Sequence, residues 1–391
     1  MNDIKKAVET LISASITGTK KQLPDNLDYE ELYKQLKRHG VLTIGYDGLV
    51  RCGADKNHPI MQRLFKDYIK MMMYSEKQLK AKDKLLAAFE ENGIEHLPLK
   101  GCNLKNLYPK PELRQMGDAD ILIKAEKYPE IEKILSEQGF ETTPGAQHTR
   151  NWKTNDLYVE MHHQLMPDED SDYLDYFGDG WSKAIHKNGS LYEYKPEDEL
   201  IFIFVHYAKH FRIGGIGYRQ LMDIWVYTNH YKQLDYSYIK AELAKMQLDE
   251  FFDNTLATAK VCFEDEAETD ITQLISRFVF SSGNWGSLNS NILSSAVRGK
   301  ATGTMGGMGA KKYAFFRLLF PPLVSLKVKY TFLDKKPWLL PLVWVIRWFD
   351  VLINRRHNIS KKMRRSNEVS EEKVLQHQKF FDVIGLSYNI E

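Results

Sequence analysis

Apolar residues recur at helical spacing through the first part of the chain. The pattern predicts helices over Ile4 to Ser15, Tyr29 to Arg38 and Pro59 to Glu91. In the last of these, Leu64, Tyr68, Met71, Met72, Leu79, Leu85, Leu86 and Phe89 form a stripe among Lys, Glu and Gln. The stripe reads as core packing, and Gly93 stops the helix. From Ile94 the texture changes to short apolar runs separated by turns. A strand is expected over Ile94 to Leu99, then the turn Lys100-Gly101-Cys102 and a short helix through Leu104 and Leu107. Tyr108-Pro109-Lys110-Pro111 ends that helix ahead of an apolar strand containing Asp118 and Asp120. Tyr128 to Gln138 reads as an amphipathic helix, followed by strands over His148 to Lys153 and Leu157 to His162 around the Thr154-Asn155-Asp156 turn.

Helical patterning returns at Pro196, where Glu197, Asp198 and Glu199 crowd the start of a helix running to Phe211; another spans Tyr218 to Tyr231. Gly299 to Gly309 reads as a Gly-rich connector whose spacing is not that of a P-loop. Tyr313 to Ile353 is rich in aromatic and aliphatic residues interrupted by Arg317, Lys327, Lys329, Lys335, Lys336 and Arg347. Such interleaving fits either a packed helical subdomain or a helix lying on a membrane or anionic surface. Arg355-Arg356, Lys361-Lys362 and Arg364-Arg365 extend the basic character, and Glu371 to Ile384 reads as a final helix.

Composition narrows the function classes. The chain has 391 residues, 43% hydrophobic and 27% charged, which suits a folded protein with a sizeable core. A formal net charge of +2 argues against a dedicated nucleic-acid binder. Cys52, Cys102 and Cys262 are scattered and odd in number, so neither a disulfide framework nor a cysteine zinc site is indicated. Met1 to Lys6 lacks the apolar core of a signal peptide, and no segment reaches the ~20 apolar residues of a membrane span. A cytoplasmic location is the expectation.

The chemistry concentrates in Gly117-Asp118-Ala119-Asp120-Ile121-Leu122-Ile123. Alternation along a strand points Asp118 and Asp120 one way and Ala119 and Ile121 the other. Two carboxylates this close repel unless a cation lies between them, and a hard oxygen-seeking ion such as Mg²⁺ is the simplest candidate. Glu160, in Tyr158-Val159-Glu160-Met161-His162, supplies a third strand-borne acid.

These residues resemble a known pattern. Leu99-Lys100-Gly101, Leu113 to Ile123 and Val159 to His162 are together similar to the uncharacterised nucleotidyltransferase family of the polymerase-β-like superfamily. The resemblance extends to His206-Tyr207-Ala208-Lys209-His210 and Asp223, and spans roughly residues 25 to 350. It implies an α+β fold: a small mixed-sheet catalytic core, residues 93–165, within mostly helical surroundings. Residues 1–92 would be an N-terminal helical region, 166–298 a helical acceptor-side domain, and 299–391 the connector and basic aromatic region.

The resemblance further implies a Mg²⁺-dependent enzyme, with Mn²⁺ a substitute, that moves a nucleoside monophosphate from an NTP to an unidentified hydroxyl or phosphate acceptor. Asp118, Asp120 and Glu160 would be catalytic and hold metal. Lys100, Gly101, Cys102, Arg114, His162, Lys209 and His210 would contact substrate, with Cys102 where relatives carry serine or glycine. Lys100 and Arg114 would neutralise triphosphate charge. Other readings stay open: a nucleotide-binding module without turnover, or a zinc hydrolase on His206 and His210, one helical turn apart. His206, His148 and His162 also suit core positions.

Overall fold

The computed structural model describes residues 2–387 apart from positions 25, 147, 169, 285, 307, 328, 355–363 and 367. The N-terminal stripes fold as helices α1 (Asn2–Thr17), α2 (Tyr29–His39) and α4 (Pro59–Glu91). Asp28 caps α2 by accepting from the Glu31 amide, and Gly40 ends it in the left-handed region. Between α2 and α4 lies α3 (Leu42–Arg51), which periodicity alone did not predict. Gly45 and Gly48 lower its helix propensity, but they let neighbours approach. A Cβ on Gly48 would collide with the Leu11 carbonyl of α1, and one on Gly45 with the Leu36 side chain of α2.

Next come β1 (His96–Pro98), α5 (Gly101–Leu104), β2 (Ala119–Ile123), α6 (Tyr128–Glu137), β3 (Glu141–Thr143), β4 (Thr149–Lys153) and β5 (Tyr158–His162). After α7 (Ser171–Phe177), the hairpin β6 (Ala184–Asn188) and β7 (Leu191–Tyr194) completes the sheet. Its order is β3-β4-β5-β2-β1-β7-β6. β2 runs antiparallel to β1 and parallel to β5, and β1 runs parallel to β7. The α+β reading holds, with a sheet wider than expected. β3 and β6 had little hydrophobic signal, because they are the two edge strands and most of their side chains face solvent, and β7 is only four residues long with its side chains half-buried or buried.

The sheet separates two apolar layers. Ala119, Ile121, Ile123, Val159 and Met161 pack with Leu85 and Phe89 of α4 and Ile131, Ile134 and Leu135 of α6. Leu97 and Leu122 join the larger core on the other side, built mainly by helices. Those helices are α8 (Pro196–Gly214), α9 (Tyr218–His230), α10 (Tyr236–Ala244), α11 (Asp249–Glu264), α12 (Asp270–Ser282) and α13 (Leu288–Ala301). α14 (Ala310–Leu319), α15 (Leu323–Lys327), α16 (Leu340–Asn354) and α17 (Glu371–Val383) complete the chain.

Gly299 to Gly309 is not a connector throughout. α13 continues to Ala301, Gly299 lies beneath the Tyr313 ring, and the Met305 amide donates to the Gly299 carbonyl at 2.8 Å. The basic pairs Arg355-Arg356 and Lys361-Lys362 lie outside the described residues.

Candidate functional site

Strand pairing assembles the acids. The parallel register sets Asp120 of β2 beside Glu160 of β5 and Leu122 beside His162, so Asp120, Glu160 and His162 share the face opposite the Ala119–Ile121–Ile123 layer. His162 Nε2 lies 2.9 Å from Asp120 Oδ1 and 3.8 Å from Glu160 Oε2. One ligand atom from each of the three residues falls within 4.8 Å of the others, the only such group of three or more His, Cys, Asp or Glu among the described residues. Two carboxylates and an imidazole suit Mg²⁺ through their oxygens and tolerate Mn²⁺ or Zn²⁺ through the nitrogen. Asp118 does not belong to that group. It lies one residue ahead of β2 and lines the same cavity of about 360 Å³ as Lys100, Gly101, Arg114, Asp120 and Glu160.

Electrostatics divides the acids. Burial opposes ionisation of Asp120, yet the Lys100 ammonium, 3.3 Å from Oδ1, and the His162 imidazole outweigh it and hold the carboxyl well below the usual range. Asp118 is shifted upward by burial and then by the Asp120 charge. Burial, followed by the charges of Asp120 and Asp118, pushes Glu160 up to about 7. Lys100 is thus the cation that balances the acidic wall. It does so from a strained backbone, φ 40°, a conformation that costs a non-glycine residue about 1–3 kcal/mol.

The segment leading to Asp118 is held carbonyl by carbonyl. Lys105 Nζ donates to the Arg114 carbonyl at 3.1 Å, Arg219 Nη1 to that of Gln115 at 3.1 Å, and Gln78 Nε2 to that of Met116 at 3.0 Å. Burial and then the Arg114 charge lower Lys105 to about 8. Arg114 is itself buried and clamped to Asp223 of α9, Nε to Oδ1 at 3.0 Å and Nη2 to Oδ2 at 2.9 Å, while Tyr108 also donates to Oδ1 at 2.7 Å. The fork of Arg114 is therefore largely committed to protein. Its Nη1 sits 2.7 Å from where a Cβ on Gly101 would stand, so glycine is what fits there.

Helices α8 and α9 form the opposing wall. His206 and His210 line it with their Nε2 atoms 3.2 Å apart. Burial and then Lys100 press His206 well below its usual value. His210 shifts the same way through enclosure and Lys209, even though part of its ring reaches solvent. Lys209 does not line the cavity, but its charge acts on Glu160 and on both histidines.

Cys102 does not line the cavity either. Its buried thiol lies 3.6 Å from the Asp120 carbonyl oxygen, and burial pushes it up to about 12. The amides of Cys102, Asn103 and Leu104 donate to the Leu99 and Lys100 carbonyls, so those three are already engaged within the turn. His148 packs 5.7 Å from His162, ring centroid to centroid, and burial pushes it down to about 3.

Sequence reasoning missed Arg219. It lines the cavity, its Nε is buried without a hydrogen-bond partner, and among the described residues no carboxylate lies within 4.0 Å of it. Burial and then the neighbouring Arg114 charge lower its proton affinity, outweighing the opposing charges of Asp223 and Asp118. Its place one helical turn before Asp223 was the available signal. Gln220, Asn284 and Asn291 add amides to the same cavity.

Fold and site together define an α+β protein whose cavity has an acidic wall on the sheet and a basic, amide-rich wall on the helices. The chain belongs to the uncharacterised nucleotidyltransferase family, whose model matches residues 25–264. No curated protein and no solved structure matches it. The matched span contains the acids, Arg114, Arg219 and both cavity histidines, while Asn284 and Asn291 lie beyond it.

Proposed function

We propose that this chain transfers a nucleoside monophosphate from an NTP to an acceptor hydroxyl or phosphate, with Asp118, Asp120 and Glu160 as the acidic centre. The observation that carries this reading is the β2–β5 register, which sets Asp120, Glu160 and His162 together beside Asp118 at one cavity. The sequence β1 antiparallel to β2, and β2 parallel to β5, supports a polymerase-β-like core.

Mg²⁺ bound by the carboxylates would polarise the acceptor and neutralise phosphate charge. The acceptor oxygen bonds to the α-phosphorus, the bond from that phosphorus to the bridging oxygen breaks, and pyrophosphate leaves with the electron pair. Glu160, once ionised, takes the acceptor's proton. Arg219 and the free edge of Arg114 would meet the polyphosphate, with Lys100, paired to Asp120 at 3.3 Å, beside them at the cavity. A cytoplasmic location fits the three free cysteines.

The test is transfer of label from each α-labelled NTP, with pyrophosphate measured alongside. Asp120→Asn and Glu160→Gln are each expected to reduce transfer by ~10²-fold or more. Activity retained in both would overturn the assignment. Binding without turnover is the second reading, favoured by the engaged amides at Cys102 to Leu104. Nucleotide binding with no pyrophosphate release would establish it.

A further inference from the structure

Residues 310–354 lie beyond the family match, and the cavity has no use for them. Their inner side is packed. Leu326, Leu333 and Val343 form a small apolar core of their own, Phe320 stacks edge-on against Trp344 and Trp348 at 5.1 and 5.2 Å, and the two indole N–H groups donate to the Pro321 and Leu319 carbonyls. α16 is therefore fixed in orientation, and its outer face is defined.

That outer face is apolar. Leu342, Val345, Ile346 and Phe349 follow i, i+3, i+4, i+7 spacing and are 53%, 41%, 44% and 62% exposed. Trp338, just before the helix, is 73% exposed, with exposed Lys335 and Lys336 preceding it. A water-facing stripe of large apolar residues at helical spacing marks a contact surface.

Charge indicates what covers it. Residues 310–354 carry eight Lys or Arg against two Asp, and Arg355, Arg356, Lys361 and Lys362 follow in the sequence. Asp350 is paired with Lys329 at 3.1 Å. A second copy seated on this face would bring two strongly basic regions together, which like-charge repulsion disfavours. An anionic bilayer surface attracts them. Tryptophan takes the headgroup level, lysines reach phosphates, and the aliphatic stripe enters the acyl boundary. No helix among the described residues is long and apolar enough to cross a membrane, so α16 would lie on the surface.

We propose that α16, with Trp338 and the lysines before it, is an interfacial helix that docks the protein on anionic lipid. The proposal is independent of the nucleotidyl-transfer reading. The test is flotation of the full chain with phosphatidylcholine vesicles, with and without about 30% phosphatidylserine. Binding is expected with phosphatidylserine, declining as salt rises, and much weaker without it. Leu342→Ser/Phe349→Ser should lower partitioning at least about tenfold with an unchanged melting temperature, since both side chains already face water. Lys335→Glu/Lys336→Glu should weaken binding to anionic vesicles alone. Failure to float with either vesicle overturns the proposal. So does equal, salt-independent binding to both, or concentration-dependent dimerisation abolished by the Leu342/Phe349 changes without lipid binding.

Discussion

Glu160 carries a carboxyl pushed up to about 7, so its charge changes near neutrality. Between the usual carboxylate value and about 7 the unfolded chain is ionised while the folded protein keeps the proton. This group's contribution to stability therefore declines as pH rises through that window. A divalent ion reverses the demand, because it needs the carboxylate bare. Adding Mg²⁺ or Mn²⁺ is expected to raise the melting temperature more at pH 8 than at about pH 6, and Glu160→Gln should remove that pH dependence. An ion held at 100 times its Kd stabilises by about 2.7 kcal/mol, which differential scanning fluorimetry reads easily. Arg219 supplies the opposite case, a half-buried cation whose affinity for its proton is lowered by burial and by Arg114. Arg219→Gln removes the bond to the Gln115 carbonyl, so it should cost about 1 kcal/mol of stability while raising the KM for NTP about tenfold. A large loss of stability with unchanged KM would make Arg219 a structural residue.

Close approaches of backbone set the positions of whole elements. Gly48 lets α3 lie on the Leu11 carbonyl of α1, so Gly48→Ala is expected to cost about 2 kcal/mol or more in urea unfolding by forcing the two helices apart. Gly101 at the start of α5 has a more local role. Gly101→Ala would push against Arg114 Nη1, and either the Arg114–Asp223 clamp or the turn must shift. The expected result is nucleotidyl transfer reduced by ~10-fold or more, with a smaller effect on stability than Gly48→Ala. Neither glycine is distinguishable from a turn residue in the one-dimensional pattern, because the atoms it avoids come from distant sequence.

At the scale of the molecule, the helix bearing His206 and His210 depends on the far end of the chain. Phe211 of α8 lies 4.8 Å from Phe278 of α12 and 6.4 and 6.3 Å from Phe380 and Phe381 of α17, centroid to centroid. Ending the chain at residue 365 removes Val374, Phe381, Ile384 and Leu386 from the main core. It is expected to lower stability by ~3 kcal/mol or more and weaken nucleotide binding through α8. Circular dichroism melts and a nucleotide titration would read both effects; an unchanged melt would show α17 to be dispensable.

What the sequence settled by itself is local. Hydrophobic period located α1, α2, α4, α6, α8, α9 and α17 to within a few residues, although α4 buries Ser75, Gln78 and Lys82 while Met72 of its apolar stripe is exposed, and α8 is buried on more than one face. The oddity of Asp118, Asp120 and Glu160 in apolar runs singled out the acids that line the cavity, because ionised groups in such runs need a reason. Only tertiary structure decided the rest. The register that pairs Asp120 with Glu160 and adds His162 rather than Asp118 to the tight cluster comes from hydrogen bonds between strands nearly forty residues apart. The clamp of Arg114 on Asp223 and the place of Arg219, bonded to the Gln115 carbonyl with its Nε left unpartnered, come from packing α9 against the loop before β2. An arginine's role depends on which carboxylate, if any, lies within reach, and that distance is set by the fold.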